Sequence, residues 1–420
     1  MKNYTKINFP KDFLWGAATA SHQVEGNNYN DWSEWEKSQK RTDYLRSEGL
    51  VEKYGLENFI SGRACDHYNR FQEDFKIAKK LGHNATRFSI EWSRIEPEEG
   101  KFNEKEIEHY KKVITTLKEI GIEPFVTLWH WPIPIWLRNK GGWQYGKIPD
   151  YFARYTEKIV NALGSDVKFW ITLNEPEIYA RYSYLSGVWP PQKKNLISYL
   201  LVIHNLIRAH RKAYKIIKKL NQSTQIGIAK NNTYFEAYQN KLINRVLKKN
   251  IDWWRNFYFL NRIKNHQDFI GLNHYLHNRI NYGFNKNENQ KIFDDMGQEL
   301  YPEAIYYVLM DLKRYNKPIY ITENGLADAG DQKRGWFILE TLKNVSRAIG
   351  EGVDVKGYLH WSLMDNFEWD KGFWPRFGLL EIDYKTLERK VRPSANFYRD
   401  ICVANEITED IVSKYKNLLE

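Results

Sequence analysis

Apolar and polar positions fall along this chain in blocks. Eight short apolar runs recur, at residues 13–19, 85–90, 124–128, 169–173, 225–229, 268–272, 318–322 and 356–360, each followed by polar or aromatic residues. Between them lie segments of helical periodicity at 66–81, 103–120, 149–163, 196–220, 242–263, 302–315 and 336–349. Asp66 is a candidate N-cap for the first, which closes on Gly82. Asn103 and Glu106 make a capping-box pattern for the second, which closes on Gly121. Strand and helix alternating through eight strands predict an α/β fold, a (β/α)₈ barrel. No linker, low-complexity tract or composition shift divides the chain, so one domain is expected over residues 1–420. The longest interruption, 30–63, is charged and is expected to form a loop structure over the first strand-to-helix junction.

Two of the runs end abruptly on a carboxylate. Lys317-Pro318 breaks a helix-like stretch, Ile319-Tyr320-Ile321 reads as a buried strand, and Glu323 follows just before the turn signal Asn324-Gly325. Residues 169–176 have the same design and end in Asn174-Glu175-Pro176. A glutamate at the end of an apolar strand is costly to bury unless something pairs with it or uses it.

In such barrels the active site lies at the C-terminal strand ends. Strand one delivers Ser21, His22, Gln23 and Glu25 there, strand two Arg87, Glu91 and Trp92, and strand three Trp129, His130 and Trp131. Strand four gives Asn174 and Glu175, strand five Asn231 and Asn232, and strand six Asn273, His274 and Tyr275. Strand seven ends in Glu323, and strand eight leads through Trp361 to Asp365, Asn366, Glu368 and Trp369. One ring thus gathers carboxylates, amides, an arginine and several tryptophans. It holds no cysteine, His-x-x-x-His or carboxylate ladder, so no metal site is expected. No Gly-rich phosphate loop follows a strand, so no nucleotide cofactor is expected either.

Composition narrows the partners. The 63 Lys+Arg against 52 Asp+Glu leave the chain at +11, which raises nucleic acid as a partner. Short runs such as Lys218-Lys219 and Lys248-Lys249 are read as alternating with acids on solvated helix faces, so no nucleic-acid track is expected. Sixteen Trp, 28 Tyr and 21 Phe are a heavy aromatic load, suited to a large core and to packing against sugar rings. Residues 1–10 show no apolar leader, and no run approaches the length of a bilayer span. No membrane partner is expected. Cys65 and Cys402 make no disulfide framework, which favours a reducing cytoplasm; a single bridge joining the chain ends is the lesser alternative.

Two carboxylates among amides and indoles suit hydrolysis of a glycosidic bond, one protonating the leaving oxygen while the other attacks the anomeric carbon. Arg87 facing Glu323 would favour its ionised form and make it the nucleophile. Glu175, with neutral neighbours and the Glu323 charge across the barrel, would stay protonated near neutral pH as the general acid. The plainer readings are a dipole-complementing Glu at a helix start, a turn-forming Glu before Asn-Gly, and a structural Arg87–Glu323 ion pair. Each is reasonable alone; all at once, at matching strand ends, is a much weaker account.

The residues also resemble glycoside hydrolase family 1, the β-glucosidase and β-galactosidase family of retaining enzymes, from Phe9 to about Ile401. The motifs are FPKDFLWGAATASHQVEG at 9–26, TRFSIEWSRIEP at 86–97, TLWHW at 127–131, WITLNEP at 170–176, DFIGLNHY at 268–275, YITENGLAD at 320–328, WSLMDNFEW at 361–369 and RFGLLEIDY at 376–384. The resemblance implies Glu175 as acid/base and Glu323 as nucleophile. It implies Gln23, His130, Asn174, Glu368 and Trp369 as partners of the sugar hydroxyls, with Asn174 on the 2-hydroxyl. Arg87 and Tyr275 match the nucleophile's supporting partners, and Trp361 matches the platform beneath the sugar. Tyr275 as a core tyrosine and Trp369 as packing are the plainer alternatives. Asn232 and Asn273 are placed as supporting amides.

The phospho-β-glycosidase branch usually carries Ser where Glu368 stands, so an unphosphorylated glycoside or oligosaccharide is the expected substrate. Glucosides, galactosides and fucosides remain open, as do a 6-phospho-β-glycosidase and a sugar-binding pseudoenzyme. Ile133 and His274 depart from the family's common Asp and Tyr. Few residues separate Tyr275 from Glu323, and an open entrance beyond the first sugar subsite is expected from that.

Overall fold

The computed structural model describes residues 6–285 and 292–419. Residues 1–5, part of the stretch read as lacking a leader, lie outside these. So do residues 286–291, part of the short segment on which the open-entrance expectation rests.

All eight expected runs are strands: β1 (Leu14–Ala18), β2 (Ala85–Ser89), β3 (Glu123–Trp129), β4 (Phe169–Asn174), β5 (Gln225–Asn231), β6 (Ile270–Asn273), β7 (Ile319–Asn324) and β8 (Val355–Trp361). They pair in parallel in chain order, and β8 returns to β1 to close the barrel. The outer helices are α1 (His67–Lys80), α2 (Glu104–Glu119), α3 (Ile148–Leu163), α4 (Leu196–Leu220), α5 (Leu242–Asp252), α6 (Ala304–Leu312), α7 (Arg334–Gly350) and α8 (Pro393–Ala404). The last was not anticipated; Pro393 opens it at a position where a missing N–H costs nothing.

The barrel's lower interior is a plug to which nearly every strand contributes. Leu14, Ala85, Phe125, Phe169, Ala229, Tyr320 and Leu359 meet there with Phe269, which sits just before β6. The Phe125 and Phe169 rings stack at 4.3 Å. Strand side chains on one face recur every second residue, so Arg87 and Thr127 stand directly above Ala85 and Phe125. The polar site therefore rests on an apolar floor.

Three expectations are corrected. Asp66 does not cap α1: it adopts a left-handed conformation (φ 56°) without a capping bond, and its carboxylate takes the Asn69 amide at 2.7 Å. Asn103 does cap α2 through the Lys105 N–H, but Glu106 does not reach back and instead accepts from the Tyr68 hydroxyl at 3.1 Å. Residues 30–63 are helical rather than a loop. Asn30 and Ser33 make a reciprocal capping box over Asp31–Glu36, and Trp32 and Trp35 are buried beneath it. Glu36 then fastens this excursion to the end of β1, taking His22 Nε2 at 2.7 Å and the Ser61 hydroxyl at 2.7 Å. Both cysteines are free and buried, so no bridge joins the chain ends.

Candidate active site

Both glutamate-bearing strands lose register just before the carboxylate. The β4–β5 ladder shifts between Ile171 and Asn174, and the β7–β6 ladder between Ile321 and Glu323. Strict alternation from Phe169 and Tyr320 would turn Asn174 and Glu323 away from the interior; an irregularity re-aims them inward. Glu175 then occupies the position preceding the helix Pro176–Ala180 in a left-handed conformation (φ 41°), with no capping bond. A residue before proline prefers extended backbone, so this is a strained arrangement. Its effect is to free the carboxylate from the helix end, which removes the dipole-complementing reading.

The two carboxylates sit in one hydrogen-bonded network. Arg87, fully buried, donates through Nη1 to Glu323 Oε1, through Nη2 to Asn174 Oδ1 at 2.7 Å and through Nε to Thr127 at 3.0 Å. The Tyr275 hydroxyl donates to Glu323 Oε2 at 2.8 Å. Asn273 Nδ2 donates to Glu175 Oε1 at 2.8 Å and to Asn174 Oδ1 at 3.1 Å, while its own oxygen accepts from Thr322 at 2.7 Å. Asn231 Nδ2 adds a second donor to Glu175 at 3.1 Å. Asn174 Nδ2 donates to His130 Nε2 at 2.9 Å.

Electrostatics separate the pair. Burial, then the nearby Glu323 charge, push Glu175 up to about 7, against the pull of the Asn273 and Asn231 amides. Burial also raises Glu323, so Arg87 does not by itself leave it below the ordinary carboxylate range, as the sequence reading supposed. Arg87 and the Tyr275 hydroxyl both oppose that rise, whereas the largest charge effect on Glu175 reinforces burial. Burial and Arg87 drive His130 well down, so it is neutral. Tyr275 is pushed up by burial and by Glu323, and remains a phenol able to donate.

The model for Glycosyl hydrolase family 1 matches residues 5–262 and 243–407. The chain belongs to that family. It is similar to the 1,4-beta-D-glucan glucohydrolase of Thermotoga neapolitana, at 36% identity over 96% of this chain and 99% of the relative. Among solved structures it is similar to a beta-glycosidase from Pyrococcus horikoshii, with TM-score 0.88, 36% identity and 98% of each chain covered. It is also similar to a beta-glucosidase from Thermotoga maritima in complex with glucoimidazole, with TM-score 0.87, 34% identity, and 95% of this chain and 99% of that one covered. As a member of family 1 the chain is a glycoside hydrolase.

The remaining family 1 positions divide into those that meet at the carboxylates and those that do not. Gln23 Nε2 bonds Asn366 Oδ1 at 2.9 Å and the Phe367 carbonyl at 2.8 Å, and lies 3.5 Å from Glu368 Oε2. Glu368 is half-buried, and burial followed by the charges of Asp370, Glu323 and Glu175 pushes it up to about 8. Trp369 takes a left-handed conformation (φ 51°) and stacks on His22 and His130 at 5.7 and 5.9 Å. Trp361 also stacks on His130, at 6.2 Å.

Asn232 does not reach either carboxylate. Its side-chain amide lies 3.5 Å from the Asn256 carbonyl and its backbone carbonyl accepts from His274 Nδ1 at 2.8 Å, so Asn231 holds the place that Asn232 was expected to fill. Glu25 is engaged by Arg94 at 2.9 Å, Glu91 by Ser93 at 2.7 Å, and Asp365 by Arg392 at 2.8 Å. These acids belong to structural networks beside the ring. Ile133 is buried and its N–H donates to Asp31 at 2.8 Å, so an acid from the excursion serves the backbone there.

Sequence reasoning missed Trp189, which packs on Trp131 at 4.5 Å and donates to Asp370 at 2.7 Å. It comes from a loop after β4 that carries no strand-end signal. Among the described residues no group of three or more His, Cys, Asp or Glu side chains could hold a metal ion.

Proposed function

We propose that the chain is a retaining β-glucosidase acting on non-reducing-end β-linked sugars, with Glu175 as acid/base and Glu323 as nucleophile. The observation that carries this reading is the unequal setting of two buried carboxylates linked through Asn273, Asn174 and Arg87: one held by Arg87 and Tyr275, the other pushed up to about 7. A proton held on Glu175 near neutrality is available to the departing glycosidic oxygen. As that bond breaks, Glu323 Oε attacks the anomeric carbon and forms a glycosyl ester. The ester has no charge, so the push on Glu175 falls and it can take a proton from the incoming water; that water's oxygen displaces Glu323 and releases the sugar.

Gln23 Oε1 and His130 Nδ1 are buried polar atoms with no protein partner, each able to bond a sugar hydroxyl. Trp361 offers an apolar face for the ring, and Asn174 is tied to both Arg87 and His130 beside the 2-hydroxyl position. Glu368 favours an unphosphorylated sugar. It is acidic, crowded by Asp370, and the nearby Lys371 already pairs with Asp370 at 3.1 Å.

Turnover of p-nitrophenyl β-glucoside, β-galactoside and β-glucoside 6-phosphate tests this, with the product anomer followed by proton NMR. The glucoside is expected to turn over, to release the β-anomer first, and to fall to background in Glu323→Gln. Glu175→Gln is expected to lose about 10²–10⁴-fold on glycosides with poor leaving groups. A first-formed α-anomer would sink the retaining mechanism, and activity confined to the 6-phosphate would sink the reading of Glu368.

A further inference from the structure

Around α4 and α5 the surface carries a feature that hydrolysis does not use. On the first two turns of α4, Ile197, Leu200 and Leu201 face solvent, Ile197 at 70% exposure. Along α5, Leu242 and Val246, with Trp253 just after its last turn, make one outward stripe, at 73%, 49% and 50% exposure. The side of α5 turned inward is polar, with Asn244 and Asp252 buried. Surface helices ordinarily show the reverse arrangement. The two helices come together at the Trp253 end of the second stripe: the Trp253 ring lies 6.1 Å from that of Trp254, which in turn lies 6.2 Å from the Tyr199 ring and donates its indole N–H to the Tyr199 hydroxyl at 3.1 Å. Both begin at the N-terminal ends of barrel helices, on the side of the molecule to which the strand C-termini point, the side that carries Glu175.

Charge is concentrated on the same segment. From Ile178 to Gln267 the chain has 17 Lys+Arg against 2 Asp+Glu, and the rest of it holds fewer cations than anions. The reading of Lys218-Lys219 and Lys248-Lys249 as alternating with acids holds for one lysine of each run, Lys218 meeting Asp268 at 2.8 Å and Lys248 meeting Asp252 at 3.0 Å. Lys194, Lys241, Arg245 and Lys249 flank the apolar stripes, are exposed, and form no salt bridge among the described residues.

We propose that this face docks on an anionic lipid bilayer, with the aliphatic side chains and Trp253 entering the headgroup boundary and the basic residues meeting lipid phosphates. Aliphatic stripes with a tryptophan, bordered by unpaired cations, are what helices lying in a membrane interface carry. Nucleic acid would use the cations but gain nothing from exposed leucines. A second copy across a two-fold axis would set the same cations against one another. The docking revises the expectation that the chain has no membrane partner, and requires no spanning helix; among the described residues none is long and apolar enough to cross a membrane. It would turn the barrel mouth towards glycosides displayed at a lipid surface, and it does not depend on the sugar preference proposed above.

Flotation of the full chain with phosphatidylglycerol-rich vesicles and with pure phosphatidylcholine vesicles, at low and high salt, tests this. Binding is expected to be at least about tenfold greater on the anionic vesicles and to weaken with salt. The doubles Leu242→Ser/Trp253→Ser and Lys241→Glu/Lys249→Glu are each expected to lose it, with melting temperatures confirming that both are folded. Equal recovery on the two vesicle types, or none, would overturn the proposal. Binding kept by the apolar double and displaced by duplex DNA would assign the face to nucleic acid instead. A dimer in sedimentation that only the apolar double breaks would assign it to a second copy.

Discussion

Glu175 and Glu323 are the same residue type, equally enclosed, and differ only in what surrounds them. Arg87 and Tyr275 act on Glu323, while Glu175 has amide donors and feels the other carboxylate. With Glu175 as the proposed acid, hydrolysis would need its proton, and its pKa is about 7, so kcat/KM is expected to fall as pH climbs through that value. Replacing Glu323 by Gln deletes the charge that raises Glu175. Carbon-13 NMR of the Glu175 carboxyl in that variant is expected to show a lower pKa, and an unmoved titration would refute the electrostatic account. Asn231→Ala works in the opposite sense. It removes a bond that favours the ionised form, so the alkaline limb of kcat/KM is expected to move to higher pH; a downward move would mean that Asn231 bonds the protonated acid.

At the scale of elements, the site depends on backbone irregularities more than on strand content. Gly325 follows the β7 register shift, and a Cβ there would stand 1.9 Å from the Trp361 carbonyl oxygen. Both the Glu323 strand end and the Trp361 strand end would have to shift. Gly325→Ala is expected to cost about 1–3 kcal/mol and to lower kcat. Gly330→Ala, where the nearest neighbour is a side-chain carbon of Gln332 at 3.5 Å, is expected to stay within about 0.5 kcal/mol of the parent. Thermal melts and p-nitrophenyl glucoside turnover of the pair separate crowding from a general intolerance of alanine. The excursion at 30–63 makes the same point: Asn30, Trp32 and Glu36 turn a charged interlude into a packed wall behind His22 and Trp369.

At the scale of the molecule, the barrel is closed underneath by contacts between the two ends of the chain. Ile7 pairs with Ile407. The Asn405 side chain accepts from the Trp15 indole at 2.9 Å and donates to the carbonyls of Phe9 and Pro10 at 3.1 and 3.0 Å. Asn405 also holds a left-handed conformation (φ 55°), which asparagine tolerates better than alanine does. Asn405→Gly loses the bonds but keeps the backbone and is expected to cost about 1–3 kcal/mol. Asn405→Ala loses both and is expected to melt lower still. Equal melting temperatures for the two would show that backbone conformation contributes nothing there.

The strand-helix order, the barrel and the two glutamates at strand ends were determined by the sequence itself, because hydrophobic runs and turn residues are local signals and the C-terminal end of each strand can be counted along the chain. The ring of side chains that meets there was legible for the same reason. Only the tertiary structure decided that Asn174 and Glu323 turn inward, since register shifts in β4 and β7 set inward and outward faces, and a one-residue slip leaves no trace in composition. Burial likewise outweighs Arg87 at Glu323, a balance set by surroundings drawn from β2, β6 and β7 at once. Trp189 joins the aromatic wall from a loop that carries no strand-end signal. Those outcomes depend on which distant segments become neighbours, and that is a property of the closed barrel.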